Sequence, residues 1–110
     1  MIRVNGLKTC DTCRKAVKAL NAAGLMAELR DLRADPPSRQ ELEAWLLQFG
    51  EEALVNRKSR TWRDLDDATR ALPPVDLLQA HAPVMKRPLI ETGGQAYLGW
   101  TDAVKNALIG

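Results

Sequence analysis

Cys10-Asp11-Thr12-Cys13 constrains this chain more than any other stretch, because it holds both cysteines of the 110 residues. Ile2-Arg3-Val4 just before it alternates like a strand, and Asn5-Gly6 reads as a loop signal. Helix-forming residues then run from Arg14 to Ala23. Two thiols three positions apart, where a strand gives way to a helix, point to redox chemistry. The first turn of a helix carries unpaired N–H groups and the positive end of the dipole. Both favour thiolate over thiol, and the thiolate is the nucleophile. Lys8, Arg14 and Lys15 add positive charge nearby. Cys10, at or before the helix start, is expected to be exposed and activated. Cys13, one turn in, is placed to resolve a mixed disulfide on Cys10.

Other uses of two cysteines are weaker. A structural disulfide over so short a loop would constrain the unfolded chain little. A zinc site normally needs four ligands, and beyond the cysteines there is one distant histidine, His81. No metal is therefore expected. Two buried, inert thiols are the remaining alternative. His81 has no visible partner, and no chemical role is expected of it.

The length suits a single domain over residues 1–110 with one modest core. Sixteen Lys and Arg against fourteen Asp and Glu leave a net charge of +2, too balanced to argue for nucleic acid or membrane binding. No apolar run approaches the ~20 residues of a membrane span. Asn5, Gly6 and Lys8 interrupt any apolar run at the N-terminus, so a signal peptide is not expected and a cytoplasmic location is.

Periodicity orders the rest. A helix from about Thr12 puts Cys13, Val17 and Leu20 on one face, with Ala16 and Ala23 beside them, and Gly24 follows as a cap. Met26 to Leu32 reads as a second strand, parallel to the first. Asp35-Pro36-Pro37 breaks the chain, and Ser38-Arg39-Gln40-Glu41 fits a capping box. Leu42, Trp45, Leu46 and Phe49 follow at helical spacing up to Gly50. Thr61-Trp62-Arg63-Asp64 looks like a second capping box, for a helix to about Ala71 with Leu65 and Ala68 inward. Pro73-Pro74 precedes a short helix over Val75 to Ala82. Gly93-Gly94 between Leu89–Thr92 and Gln95–Leu98 signals a hairpin. Thr101 caps a last helix carrying Val104, Ala107 and Leu108. The fold class is α/β: a four-stranded mixed sheet flanked by helices, with a helical insertion after the second strand, at about 38–82.

Cys10-x-x-Cys13-Arg14-Lys15-Ala16 after a first strand, with Lys86-Arg87-Pro88-Leu89 before the hairpin, resembles the thioredoxin-like ArsC family. That family includes glutaredoxin-linked arsenate reductases, YffB-like proteins and the Spx transcriptional regulators. The resemblance covers essentially the whole chain. Arg57-Lys58-Ser59-Arg60-Thr61-Trp62-Arg63-Asp64-Leu65 and Leu98-Gly99-Trp100 look most like the YffB-like branch. The resemblance implies a thioredoxin-like fold with Cys10 as nucleophile. It implies that Arg57, with Arg60 as a nearby rival, and Arg87 hold substrate, and that Pro88 is the family's cis-proline; with Lys8, whose charge lies near Cys10 in the sequence, Arg57, Arg87 and Pro88 are the expected substrate-binding residues. Planar guanidinium donors suit an oxyanion, a glutathione carboxylate or a thiolate. A cis X-Pro would turn the backbone of Lys86 and Arg87 toward a peptide-like substrate.

Two departures narrow the implication. The family's arsenate reductases carry a further arginine near the end of the hairpin, where this chain has Gly99. They also lack the second cysteine, which the Spx regulators have. The first expectation is therefore a YffB-like thiol reductase that uses glutathione as co-substrate, with glutaredoxin a candidate partner. It would need no tightly bound cofactor, nucleic acid or membrane. The alternative is a Spx-like redox regulator that binds RNA polymerase, with Cys10 and Cys13 as its switch.

Overall fold

The computed structural model describes residues 1–110. They form two compact units, Met1–Leu32 with Arg87–Gly110, and Arg33–Lys86.

The first unit holds strands β1 (Ile2–Gly6), β2 (Ala27–Asp31), β3 (Leu89–Thr92) and β4 (Gln95–Leu98), and helices α1 (Asp11–Ala22) and α7 (Asp102–Ile109). The sheet order is β2-β1-β3-β4. β1 and β2 run parallel, from Ile2 opposite Ala27 to Gly6 opposite Asp31. β3 pairs antiparallel with β1 and with β4. Strand alternation sends Ile2 and Val4 of β1 to one face. There they meet Ile90 of β3, Ala16 and Leu20 of α1, and Val104 of α7. The parallel β-α-β opening and the Gly93-Gly94 hairpin match the expected mixed sheet. Thr101 caps α7 by accepting from the Val104 N–H at 3.2 Å.

β1 runs two residues further than expected, because Asn5 is satisfied inside the sheet. Its Nδ2 donates to the Leu89 carbonyl and to Glu91 Oε1, both at 2.9 Å. Arg30 donates to its Oδ1 at 3.3 Å, and Arg3 donates to the same Glu91 oxygen at 2.7 Å. A buried amide with these partners has no reason to leave the ladder. Of the apolar residues on α7, Val104 and Leu108 carry the contact and Ala107 is exposed.

The second unit is helical: α2 (Arg39–Phe49), α3 (Glu51–Leu54), α4 (Arg60–Asp64), α5 (Asp67–Arg70), α6 (Pro74–Ala80) and a 3-10 turn at Ala82–Val84. The capping box forms as expected. Ser38 Oγ accepts from the Glu41 N–H at 3.0 Å, and Glu41 Oε1 accepts from the Ser38 N–H at 2.9 Å. Leu42 and Trp45 are buried as α2 packs against α6, which buries Leu77 and Leu78. An isolated bridge between Val55 and Met85 ties the residue after α3 to the end of the unit, with the Lys86 N–H donating to the Leu54 carbonyl at 2.7 Å. Ser38→Ala should cost about 1 kcal/mol, the usual price of a lost cap. Chemical denaturation checks it, and an unchanged midpoint would show that solvent replaces the cap.

One expected helix is two. Instead of Thr61 capping a helix to Ala71, Ser59 caps α4, accepting from the Trp62 N–H at 3.1 Å. Leu65 then turns extended, with ψ 147, and Asp66 caps α5 through the Thr69 N–H at 2.8 Å. Ser and Asp both compete well for such N–H groups. The break leaves Leu65 half-buried and Ala68 exposed, so the inward pair expected there does not form. His81 sits at the C-terminal end of α6.

Candidate active site

Cys10 is the residue on which α1 starts. Its backbone is extended, with φ −88 and ψ 116, and its carbonyl accepts the Arg14 N–H at 3.1 Å. A turn through Lys8 and Thr9 brings its own N–H to the Leu7 carbonyl at 3.0 Å. The side chain is half-buried. Burial opposes ionisation of the thiol, but the Cys13 N–H, the Cys13 thiol, the Arg87 guanidinium and the Thr12 N–H outweigh it. Cys10 is therefore held below the ordinary cysteine range.

Cys13 is the opposite case. It is fully buried, in the first turn of α1. Burial pushes its thiol up to about 12, although the Leu7 N–H and Arg87 act the other way. The hydrogen bond to Cys10 and the charge of that neighbour raise it further. The pair therefore divides into one sulfur whose thiolate is favoured and one that stays a protonated donor beside it. Both sulfurs are free.

Arg87 reaches this pair from far along the chain. It precedes Pro88 through a cis peptide bond, and Pro88 is buried. The Pro88 carbonyl accepts the Gly99 N–H at 2.8 Å. Gly99 has φ +85, in the left-handed region that favours glycine, so its backbone is shaped against the side chain of an arginine. Lys8 is exposed in the turn before Cys10, and Arg14 is engaged by Asp11.

Arg57 and Arg60 belong to the second unit. Arg57 donates to Glu51 at 3.1 Å, lies 3.7 Å from a Glu52 oxygen, and stacks 5.3 Å from the centroid of Trp62. Arg70 approaches the same ring at 5.5 Å and donates to the Trp62 carbonyl at 3.1 Å. Arg57, Lys58, Lys86 and Asn56 line a recess of about 340 Å³ that is open to solvent. Arg60 is exposed on α4. The sequence marked Trp62 only as part of a recognisable segment. Its role as a platform for two guanidinium groups carries no sequence signal beyond an aromatic among arginines.

Iodoacetamide reads the asymmetry of the cysteines. The thiolate reacts, so a lowered pKa moves the rising limb of the rate to lower pH. Cys10 should be alkylated with a midpoint below that of an ordinary cysteine. In Cys10→Ser that phase should vanish, leaving only slow reaction of the buried Cys13 at higher pH. A surviving low-pH phase would show that the wrong sulfur has been assigned.

The sequence model of the ArsC family matches residues 6–107. An uncharacterised protein of Haemophilus influenzae is 38% identical over 109 residues, covering 93% of each chain. The solved structure of a YffB protein superposes with a TM-score of 0.90 at 28% identity, covering all of both chains. An arsenate reductase-related protein from Brucella melitensis superposes at 0.74 with 27% identity, over 96% of this chain and 92% of its own.

Proposed function

This chain belongs to the ArsC family, and we propose that within it the protein works as a glutathione-dependent thiol reductase with Cys10 as nucleophile. The observation that carries the reading is the unequal pair: a half-buried Cys10 sulfur at a helix start, facing N–H groups, the Cys13 thiol and Arg87. A thiolate with those partners is stabilised before substrate arrives.

The reaction is thiol–disulfide exchange. The Cys10 thiolate attacks one sulfur of a substrate disulfide, that S–S bond breaks, and the other half leaves as a thiolate. A glutathione thiolate then attacks the sulfur bound to Cys10. The mixed disulfide breaks, Cys10 leaves as the thiolate, and glutathione departs joined to the captured half. By a second route Cys13 gives up its proton to the departing thiolate and closes onto the Cys10 sulfur. Two glutathione thiols then reduce that disulfide, releasing oxidised glutathione. Arg87 offsets negative charge at the sulfurs in either route.

Arsenate is not the substrate this reading favours, because Gly99 stands where the family's arsenate reductases place a further arginine. Arg57, stacked on Trp62, offers a guanidinium of fixed orientation to a carboxylate or oxyanion. Turnover of a mixed disulfide coupled to glutathione oxidation tests the reading. Turnover that depends on Cys10 supports it. Capture of RNA polymerase by a protein with no turnover would replace it with the regulator.

A further inference from the structure

Gly6 closes β1 with a backbone that any residue could adopt, since its φ is not among the chain's positive values. What demands glycine there is space. A Cβ on Gly6 would lie 2.3 Å from Cys13 Sγ and 3.1 Å from Cys13 Cβ. The strand cannot simply retreat. Gly6 is paired with Asp31 in the parallel ladder, and its carbonyl accepts the Leu32 N–H at 2.8 Å. Leu7, next along, turns its N–H toward the Cys13 sulfur and gives its carbonyl to the Cys10 N–H. The end of β1 and the loop after it thus form a socket for one sulfur atom, closed to solvent. Close-packed interiors do not absorb an added methyl at such a contact.

We propose that Gly6 is a positioning residue for the thiol pair: by carrying no side chain it leaves the space that seats the Cys13 sulfur, and so aims the Cys13 thiol at Cys10. The inference rests on the reading of Cys10 as the working thiolate. It predicts a specific failure for Gly6→Ala. The added methyl drives the Cys13 sulfur from its socket, Cys10 loses a donor, and the thiolate is less favoured. Nothing in that chain of effects requires a substrate.

The test is the pH profile of Cys10 alkylation by iodoacetamide in four proteins: wild type, Gly6→Ala, Cys13→Ala and the double variant. Melting of each is followed alongside. Gly6→Ala should shift the Cys10 midpoint upward and slow alkylation at neutral pH severalfold. Cys13→Ala should do the same. The double variant should match Cys13→Ala, because the sulfur through which Gly6 acts is gone. A folded Gly6→Ala protein with the wild-type midpoint overturns the proposal. So does an upward shift from Gly6→Ala that is as large in the Cys13→Ala background as in wild type. If Gly6→Ala alone does not melt cooperatively, the double variant should recover the transition, and its failure to do so also counts against the proposal. Absent glutathione turnover in wild type, with the alkylation pattern intact, would overturn the reductase reading and leave the role of Gly6 standing.

Discussion

Cys10→Ser should reduce reductase turnover to the uncatalysed background, while Cys13→Ser keeps it as long as glutathione is plentiful. The difference follows from where the two sulfurs sit. Cys10 starts α1 half-buried, with its thiolate favoured by N–H groups and Arg87. Without that sulfur there is no atom to form the mixed disulfide. Cys13 is fully buried and held at about 12, so it attacks nothing from outside. It can attack only a disulfide already on Cys10, and glutathione can take over that step. A serine at position 13 keeps a donor toward Cys10, so much of the activation survives. Steady-state rates at high and low glutathione measure this. Cys13→Ser should fall behind wild type only when glutathione is scarce. Equal and complete loss in both variants would show that Cys13 is indispensable.

Arg87→Ala and Arg57→Ala should each weaken glutathione or oxyanion binding by about 1.5–3 kcal/mol, the usual range for a hydrogen bond to a charged group. That corresponds to roughly tenfold to a hundredfold or more in Kd. Stability should change by no more than about 0.5 kcal/mol for the exposed Arg57, as for other surface sites, and little for the half-buried Arg87. Arg57 makes exposed ion pairs with Glu51 and Glu52, which contribute little to folding. Arg87 has a second signature. Its charge favours the Cys10 thiolate, so Arg87→Ala should also move the Cys10 alkylation limb to higher pH. Titration calorimetry with glutathione, beside thermal melts, separates the outcomes. Large destabilisation with unchanged binding would make both arginines structural.

Much of this was legible in the chain because the signals are local. The CxxC at a strand–helix junction, the box at Ser38, the cap at Thr101 and the turn at Gly93-Gly94 each depend on residues within a few positions. Where two local signals compete, pattern reading fails. Thr61 and Ser59 are both good caps, and the chain uses Ser59 and then Asp66, which splits one helix into two. Long-range terms are hidden altogether. Asn5-Gly6 looks like a loop until Leu89, Glu91 and Arg30 satisfy the amide. Proximity in the sequence points to Lys8, Arg14 and Lys15 for the charge that acts on Cys10. Arg87 carries it from across the fold, and only the resemblance to the family pointed there.

The most direct measurement is intact-mass analysis of wild type, Cys10→Ser and Cys13→Ser after exposure to oxidised glutathione. Wild type should take one glutathione on Cys10 and then lose it in part as Cys13 closes onto that sulfur. Cys13→Ser should hold the adduct, and Cys10→Ser should take none. Glutathione uptake by Cys10→Ser at the wild-type rate, or a wild type that forms neither the adduct nor a Cys10–Cys13 disulfide, would contradict Cys10 as the nucleophile.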